Sequence, residues 1–220
     1  MLMKVTLSEE DQARIRDAVA EAETKTAGEI VPYVVRNSGT YEVAFWKAAG
    51  LGVAATFAVL ALFTWFYDPW GDAWWRDAAF QTLALVAVGT TMAALVWLLP
   101  PVRRPLAGNK RMIRNVHRRA MASFVEKEVF NTRDRSGILL FVSLFERRIE
   151  VVGDAGINTK VSQDDWVEVV TRIRDGIKAG RLADGLVQGI HLCGELLAKS
   201  GVEIRPDDIN ELSDNVTLDL

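Results

Sequence analysis

Two uncharged stretches dominate the pattern of apolar and polar positions along this chain. Residues 48–67 and 78–99 run for twenty and twenty-two positions without Asp, Glu, Lys or Arg, and only the ten residues 68–77 separate them. At about 1.5 Å of rise per residue, each makes a helix of roughly 30 Å, the thickness of a bilayer's hydrocarbon core. The pattern predicts a transmembrane hairpin. Ahead of it, residues 7–26 predict an amphipathic helix, with Ser8 and Asp11 at capping-box spacing, Ile15, Val19 and Ala22 on one face, and Gly28 placed as a C-terminal stop. The β-branched run Ile30-Val31-Pro32-Tyr33-Val34-Val35 predicts a strand, and Pro32 in it argues for an edge or strand-start position. Asn37-Ser38-Gly39 is turn chemistry.

Beyond the hairpin, Pro100, Pro101 and Pro105 are expected to break the helix. Residues 109–130 predict a long helix with Ile113, Val116, Ala120 and Phe124 on its inner face. After a polar turn, the apolar run 138–143 suits a strand covered on both faces, and the alternating run 148–152 suits a half-buried one. These two should pair antiparallel. Ser162 with Asp165 starts a helix carrying Trp166, Val170, Ile173 and Ile177 and closed by Gly180. A last helix lines up Leu186, Ile190, Cys193 and Leu197 before Gly201, and the acidic remainder reads as a surface tail.

Strands interleaved with helices point to an α/β protein, a three-layer α/β/α sandwich with a small mixed sheet, interrupted by a two-helix transmembrane hairpin. The first two strands, joined by a long crossover, should be parallel. The domain would comprise residues 1–42 and 101–220, with 43–100 inserted between its two parts.

Charge gives the hairpin a direction. The net formal charge is only −3, yet Arg103, Arg104, Lys110, Arg111, Arg114, Arg118 and Arg119 occur with no acidic residue among them. The intervening loop instead carries Asp68, Asp72 and Asp77 against Arg76. The positive-inside rule then places both termini in the cytoplasm and loop 68–77 outside, in a bacterial inner membrane. Trp46 and Trp97 at one end and Trp65, Trp70, Trp74 and Trp75 at the other sit at interfacial depths. Residues 1–12 lack the pattern of a secretory leader, so insertion is expected to rely on the hairpin. The basic cluster suits the headgroups of an anionic leaflet, at about 1 kcal/mol per residue, and no nucleic-acid partner is expected. It serves equally well as a solvated face that only sets topology. The spans contain threonines and Gln81 but nothing ionisable, so they anchor rather than transport. Gly50 with Ala54, and Gly89 with Ala93, offer small faces for packing the two spans or a partner helix.

Several segments taken together resemble the TPM domain. They are Gly28-Glu29-Ile30-Val31, the run from Thr132 to Leu139, the run from Glu146 to Asp154, Trp166 on its helix, and the tail Asp207-Asp208-Ile209-Asn210-Glu211-Leu212. The resemblance covers most of residues 8–215 outside the hairpin. It implies a compact α/β/α sandwich, commonly membrane-attached in bacteria or thylakoids. Some members are described as binding calcium or having acid phosphatase activity, others as helping membrane complexes assemble or turn over. Ser213, where a proline is common, and Lys199-Ser200-Gly201, in place of an aromatic-proline ending, depart from the pattern.

Catalytic templates are sparse. No phosphate-binding glycine loop is present, and the lone Cys193 excludes an internal disulfide and reads as a core residue. His117 and His191 have no ligand partner nearby in sequence and read as ordinary helix residues. The predicted topology does bring Glu29, Asp134 and Asp154 to one end of the sheet, the end away from the hairpin, with Asp164 and Asp165 within approach. Hard oxygen donors of this kind suit Ca²⁺ or Mg²⁺ and would support phosphate-ester hydrolysis. The same residues suit helix caps and turns, the commoner use of such positions. Two functions therefore stand: a membrane-anchored interaction or assembly/maintenance module with the bilayer and another membrane protein as partners, and a divalent-metal-dependent phosphatase.

Overall fold

The computed structural model of the chain describes residues 7–67, 74–204 and 210–220. Residues 68–73, with Asp68, Trp70 and Asp72, and the first three residues of the tail motif, Asp207, Asp208 and Ile209, lie outside the described residues. The chain divides into two compact units, one made of Met1–Gly39 and Met112–Leu220 and the other of Thr40–Arg111.

The first unit is an α/β/α sandwich. Its elements are helix α1 (Glu9–Glu23) and strand β1 (Glu29–Val35) before the insertion. After it come β2 (Gly137–Ser143), β3 (Arg148–Gly153), α6 (Ala155–Asn158), α7 (Val167–Lys178), α8 (Leu182–Lys199) and β4 (Thr217–Asp219). In the inserted unit the helices are α2 (Glu42–Phe66), α3 (Ala78–Leu98) and α4 (Pro100–Ala107), and helix α5 (Asn109–Glu126) leads back into the sandwich. The sheet runs β3-β2-β1-β4, with β1 parallel to both β2 and β4 and β2 antiparallel to β3. Alternation along the buried strands feeds two separate cores. Ile30, Val34, Ile138, Leu140 and Val142 pack beneath α1, α7 and α8, whereas Val31, Tyr33, Val35, Leu139 and Phe141 pack against Val116, Ala120 and Phe124 of α5.

Local signals explain most boundaries. Ser8 and Asp11 close the capping box on α1. Gly180 and Gly201 take φ of +74° and +75°, and Arg181 N and Val202 N donate back to Gly176 O and Leu197 O, the Schellman ends of α7 and α8. Gly137 starts β2 where no side chain fits, since a Cβ there would stand 1.8 Å from the Val129 carbonyl oxygen.

Other expectations are corrected. Helix α1 ends at Glu23 with Thr24 as its cap, so Gly28 is not its stop. Pro32 lies in an interior strand, not at an edge. Arg36 N–H donates to Asp219 O, so alternation points the Pro32 nitrogen to the same side, one step ahead of β4's pairing, which begins at Tyr33↔Thr217. The missing donor therefore costs no ladder bond. Pro100 and Pro101 open α4 at its first positions instead of ending structure, as their fixed φ allows. On α5, Met112 rather than Ile113 faces inward. Ser162 and Asp165 do bond, but the segment makes a turn first and α7 begins at Val167. The tail adds the unforeseen strand β4.

In the second unit, α2 and α3 are each long and apolar enough to cross a membrane, with mean hydropathy 1.9 and 1.8 over an 18-residue stretch of which only 6% and 11% is buried. They pack through Ala44, Ala48 and Gly52 on α2 and Gly89 and Val96 on α3. A Cβ on Gly52 would stand 2.8 Å from Met92 Cγ, and one on Gly89 would stand 2.9 Å from Val53 Cγ2. Gly50, by contrast, faces open space, so the packing seam lies on Ala48 and Gly52 rather than on Gly50 and Ala54. Thr56, Thr64, Thr82, Thr90 and Thr91 each return their hydroxyl to a carbonyl of the preceding turn, which satisfies them without water.

Candidate functional site

The register sets Glu29 beside Gly137 and Ile138 beside Gly153, so β1 and β2 start, and β3 finishes, at one end of the sheet. The chain leaves the sandwich at Gly39, past the opposite end of β1. Glu29, buried at the strand start, accepts from the N–H groups of Glu211 and Leu212, at 3.2 Å each. Glu211 in turn accepts from Arg133 N through both carboxylate oxygens, at 3.2 and 3.0 Å. Beside them the half-buried Glu23 reaches from the end of α1 to accept from Ile30 N at 2.9 Å, and Asn210 links it to Asp214. Burial, with Glu29 and Asp214 nearby, pushes the Glu23 carboxyl up to about 8 despite the Ile30 bond. This chain of carboxylates fastens the tail across the start of the sheet.

Asp154 serves a different partner. It caps α6 through Ala155 N at 2.7 Å and holds Arg135 in a two-pronged ion pair at 2.5 and 3.0 Å. Asp165 accepts from the Ser162 N–H and hydroxyl, which draw it below the usual carboxylate range. Asp134 sits exposed in the turn before β2, and Asp164 is exposed where Val167 N meets its carbonyl. Glu29, Asp134 and Asp154 thus share an end of the sheet without converging. Among the described residues, no group of three or more His, Cys, Asp or Glu side chains is placed to hold a metal ion. The five acidic residues as arranged do not fit a Ca²⁺ or Mg²⁺ centre, because Glu29, Asp154 and Asp165 turn their oxygens to tail amides, Arg135 and Ser162.

The basic cluster also divides. Arg103 and Arg104 lie on α4, and Lys110, Arg111, Arg114, Arg118 and Arg119 on α5. Arg103 stacks 5.8 Å from the Tyr41 and Phe45 rings, and Lys47 donates to Leu106 O, which ties α4 to α2. Arg119 is drawn to Glu126 and to Asp219 of β4, at 3.6 and 3.3 Å. Lys110, Arg114 and Arg118 are exposed at four-residue spacing, one stripe of the helix.

Two features escaped the sequence reading. His117 pairs through space with Glu150 of β3 at 2.5 Å, and both border an open groove of about 550 Å³ that runs along β3 between α5 and α7. Glu146 is wholly buried in the β2–β3 turn, accepting from Ser38 N at 2.9 Å and from the Ser143 hydroxyl. It holds the exit of β1 against that turn. Neither contact has a local signal, because the partners are 33 and 108 positions apart.

No family model matches the chain, and no curated protein matches it. Among solved structures it resembles the NMR structure of BA42 protein from the psychrophilic bacterium Bizionia argentinensis. The match has 23% identity and a TM-score of 0.59, over 98% of this chain and 97% of that one. That likeness carries the fold.

Proposed function

We propose that this chain is a membrane-anchored domain of the TPM type that acts as an interaction module in the assembly or maintenance of membrane proteins. The observation that carries the reading is the hairpin. Its helices expose Trp46, Phe57, Phe63, Trp65 and Trp97, apolar surface of a kind that water does not tolerate and lipid does. The Lys110, Arg114 and Arg118 stripe favours a cytoplasmic domain at an anionic leaflet of a bacterial inner membrane, with both termini cytoplasmic and loop 68–77 outside. Interaction is preferred over metal-dependent phosphate-ester hydrolysis because Glu29, Asp154 and Asp165 are engaged as clasps and caps. Purification of the tagged full chain from membranes in mild detergent tests the reading. A stoichiometric membrane partner is expected. A chain that purifies alone, with Ca²⁺- or Mg²⁺-dependent phosphate-ester hydrolysis lost in Asp154→Ala, would replace this reading with the enzyme.

A further inference from the structure

We infer that the outward face of α5 binds anionic phospholipid headgroups, so that this helix lies along the leaflet. The inference rests on the membrane-anchored reading and deepens it: the hairpin holds the chain, and α5 selects the lipid.

Helical geometry defines the face. Met112, Val116, Ala120, Ser123 and Phe124 turn one side of α5 inward. At 3.6 residues per turn, Lys110, Arg114, Arg118, Met121 and Val125 fall on the opposite side, within about a quarter turn of one another. All are exposed, Met121 by 42% and Val125 by 58%. The cations occupy the first half of the helix and the two apolar side chains the second.

The charge on this face is uncompensated. Among the described residues no carboxylate pairs with Lys110, Arg114 or Arg118, and Arg118 bonds the neutral Asn115 Oδ1 at 3.0 Å. The carboxylates on its flanks are engaged elsewhere, Glu126 with Arg119 at 3.6 Å and Glu150 with His117. The first turn of α5 holds no acidic residue, so its basic half also stands against the positive end of the helix dipole. A layer of anionic headgroups answers both. A basic face that only sets topology has no use for Met121 and Val125 beside its cations, whereas apolar side chains next to Lys and Arg are what sinks a surface helix into the headgroup boundary. Lipid is preferred over an acidic protein because only the short α4 separates α5 from the apolar helix α3, which in the anchored reading ends at a leaflet.

The test places an environment-sensitive fluorophore, NBD, on Val125→Cys of the full chain; Cys193 is buried and stays unlabelled. The chain is reconstituted in nanodiscs of phosphatidylcholine, alone or mixed equally with phosphatidylglycerol. Phosphatidylglycerol is expected to shift the NBD emission to the blue and to make it quenchable by nitroxide lipid labelled at the headgroup, and high salt is expected to reverse both. The same label on Glu10→Cys of α1 is expected to stay in water. Each cation contributes about fivefold to the docked-to-free ratio, so Lys110→Gln, Arg114→Gln and Arg118→Gln together should lower it roughly a hundredfold. Water-like emission at position 125 in the mixed discs overturns the inference, in favour of a solvated face or a protein occupant. So does a blue shift that is as large in phosphatidylcholine alone, that survives the triple substitution, or that Glu10→Cys shares. A chain that does not enter the discs overturns the anchored reading itself. Failure to copurify a membrane partner leaves the lipid result untouched, because the discs hold no other protein than their scaffold.

Discussion

Glu23 is the carboxyl whose protonation the sandwich feels most directly. In the unfolded chain it titrates near 4.5, and in the fold burial raises it to about 8. Between those values the folded state holds a proton that the unfolded state has lost, so stability falls as pH rises through the window and is fullest below it. Glu23→Gln keeps an oxygen for Ile30 N and removes the titration. Its thermal midpoint, followed by circular dichroism between about pH 5 and about pH 8, should fall less with pH than that of wild type. Asp154 is a buried carboxylate held by two contacts, the Ala155 N–H and the Arg135 guanidinium. Asp154→Ala strips the α6 cap, at a cost of about 1 kcal/mol in chemical denaturation, and releases the exposed Arg135 side chain. Asp154→Asn retains the acceptor for Ala155 N and should cost less. Single-residue signals of the short-range kind were legible in the sequence: Ser8 with Asp11, Ser162 with Asp165, and the glycines at 180 and 201 all act within a few residues. His117 with Glu150, Glu146 with Ser38 and the Glu29 clasp on the tail were not, because only the folded sheet brings those partners together.

At the scale of elements, burial explains both what was readable and what was missed. The strands β1 and β2 are buried along their whole length, and their unbroken apolar runs announce them. Strand β4 has three residues at the sheet's margin and no pattern long enough to register. The prolines at 100 and 101 read as breakers because the helix after them is short, yet the first turn of a helix is where proline fits. The two long apolar helices were legible from length and charge alone, but their mutual face was not, since a uniformly apolar helix carries almost no phase information. The packing seam makes a clear prediction. Gly52→Leu forces a side chain into Met92 and should destabilise the hairpin by about 1–3 kcal/mol, whereas Gly50→Leu points into open space and should leave the thermal midpoint in detergent nearly unchanged.

At the scale of the whole molecule, each unit has packing of its own. Among the described residues, the two clusters that flank the sheet are made of sandwich residues, and the small cluster of Ala44, Ala48 and Val96 is made of residues of the inserted unit. The sandwich carries two cores of its own, so it should fold without residues 40–111. In the reading proposed above, residues 40–111 hold this domain at a membrane. Alkaline carbonate extraction of membranes from cells expressing the chain tests it most directly. The full chain is expected to stay in the membrane pellet, and a version with residues 40–111 replaced by a flexible linker is expected in the soluble fraction, folded by circular dichroism. Release of the full chain by carbonate would contradict the account.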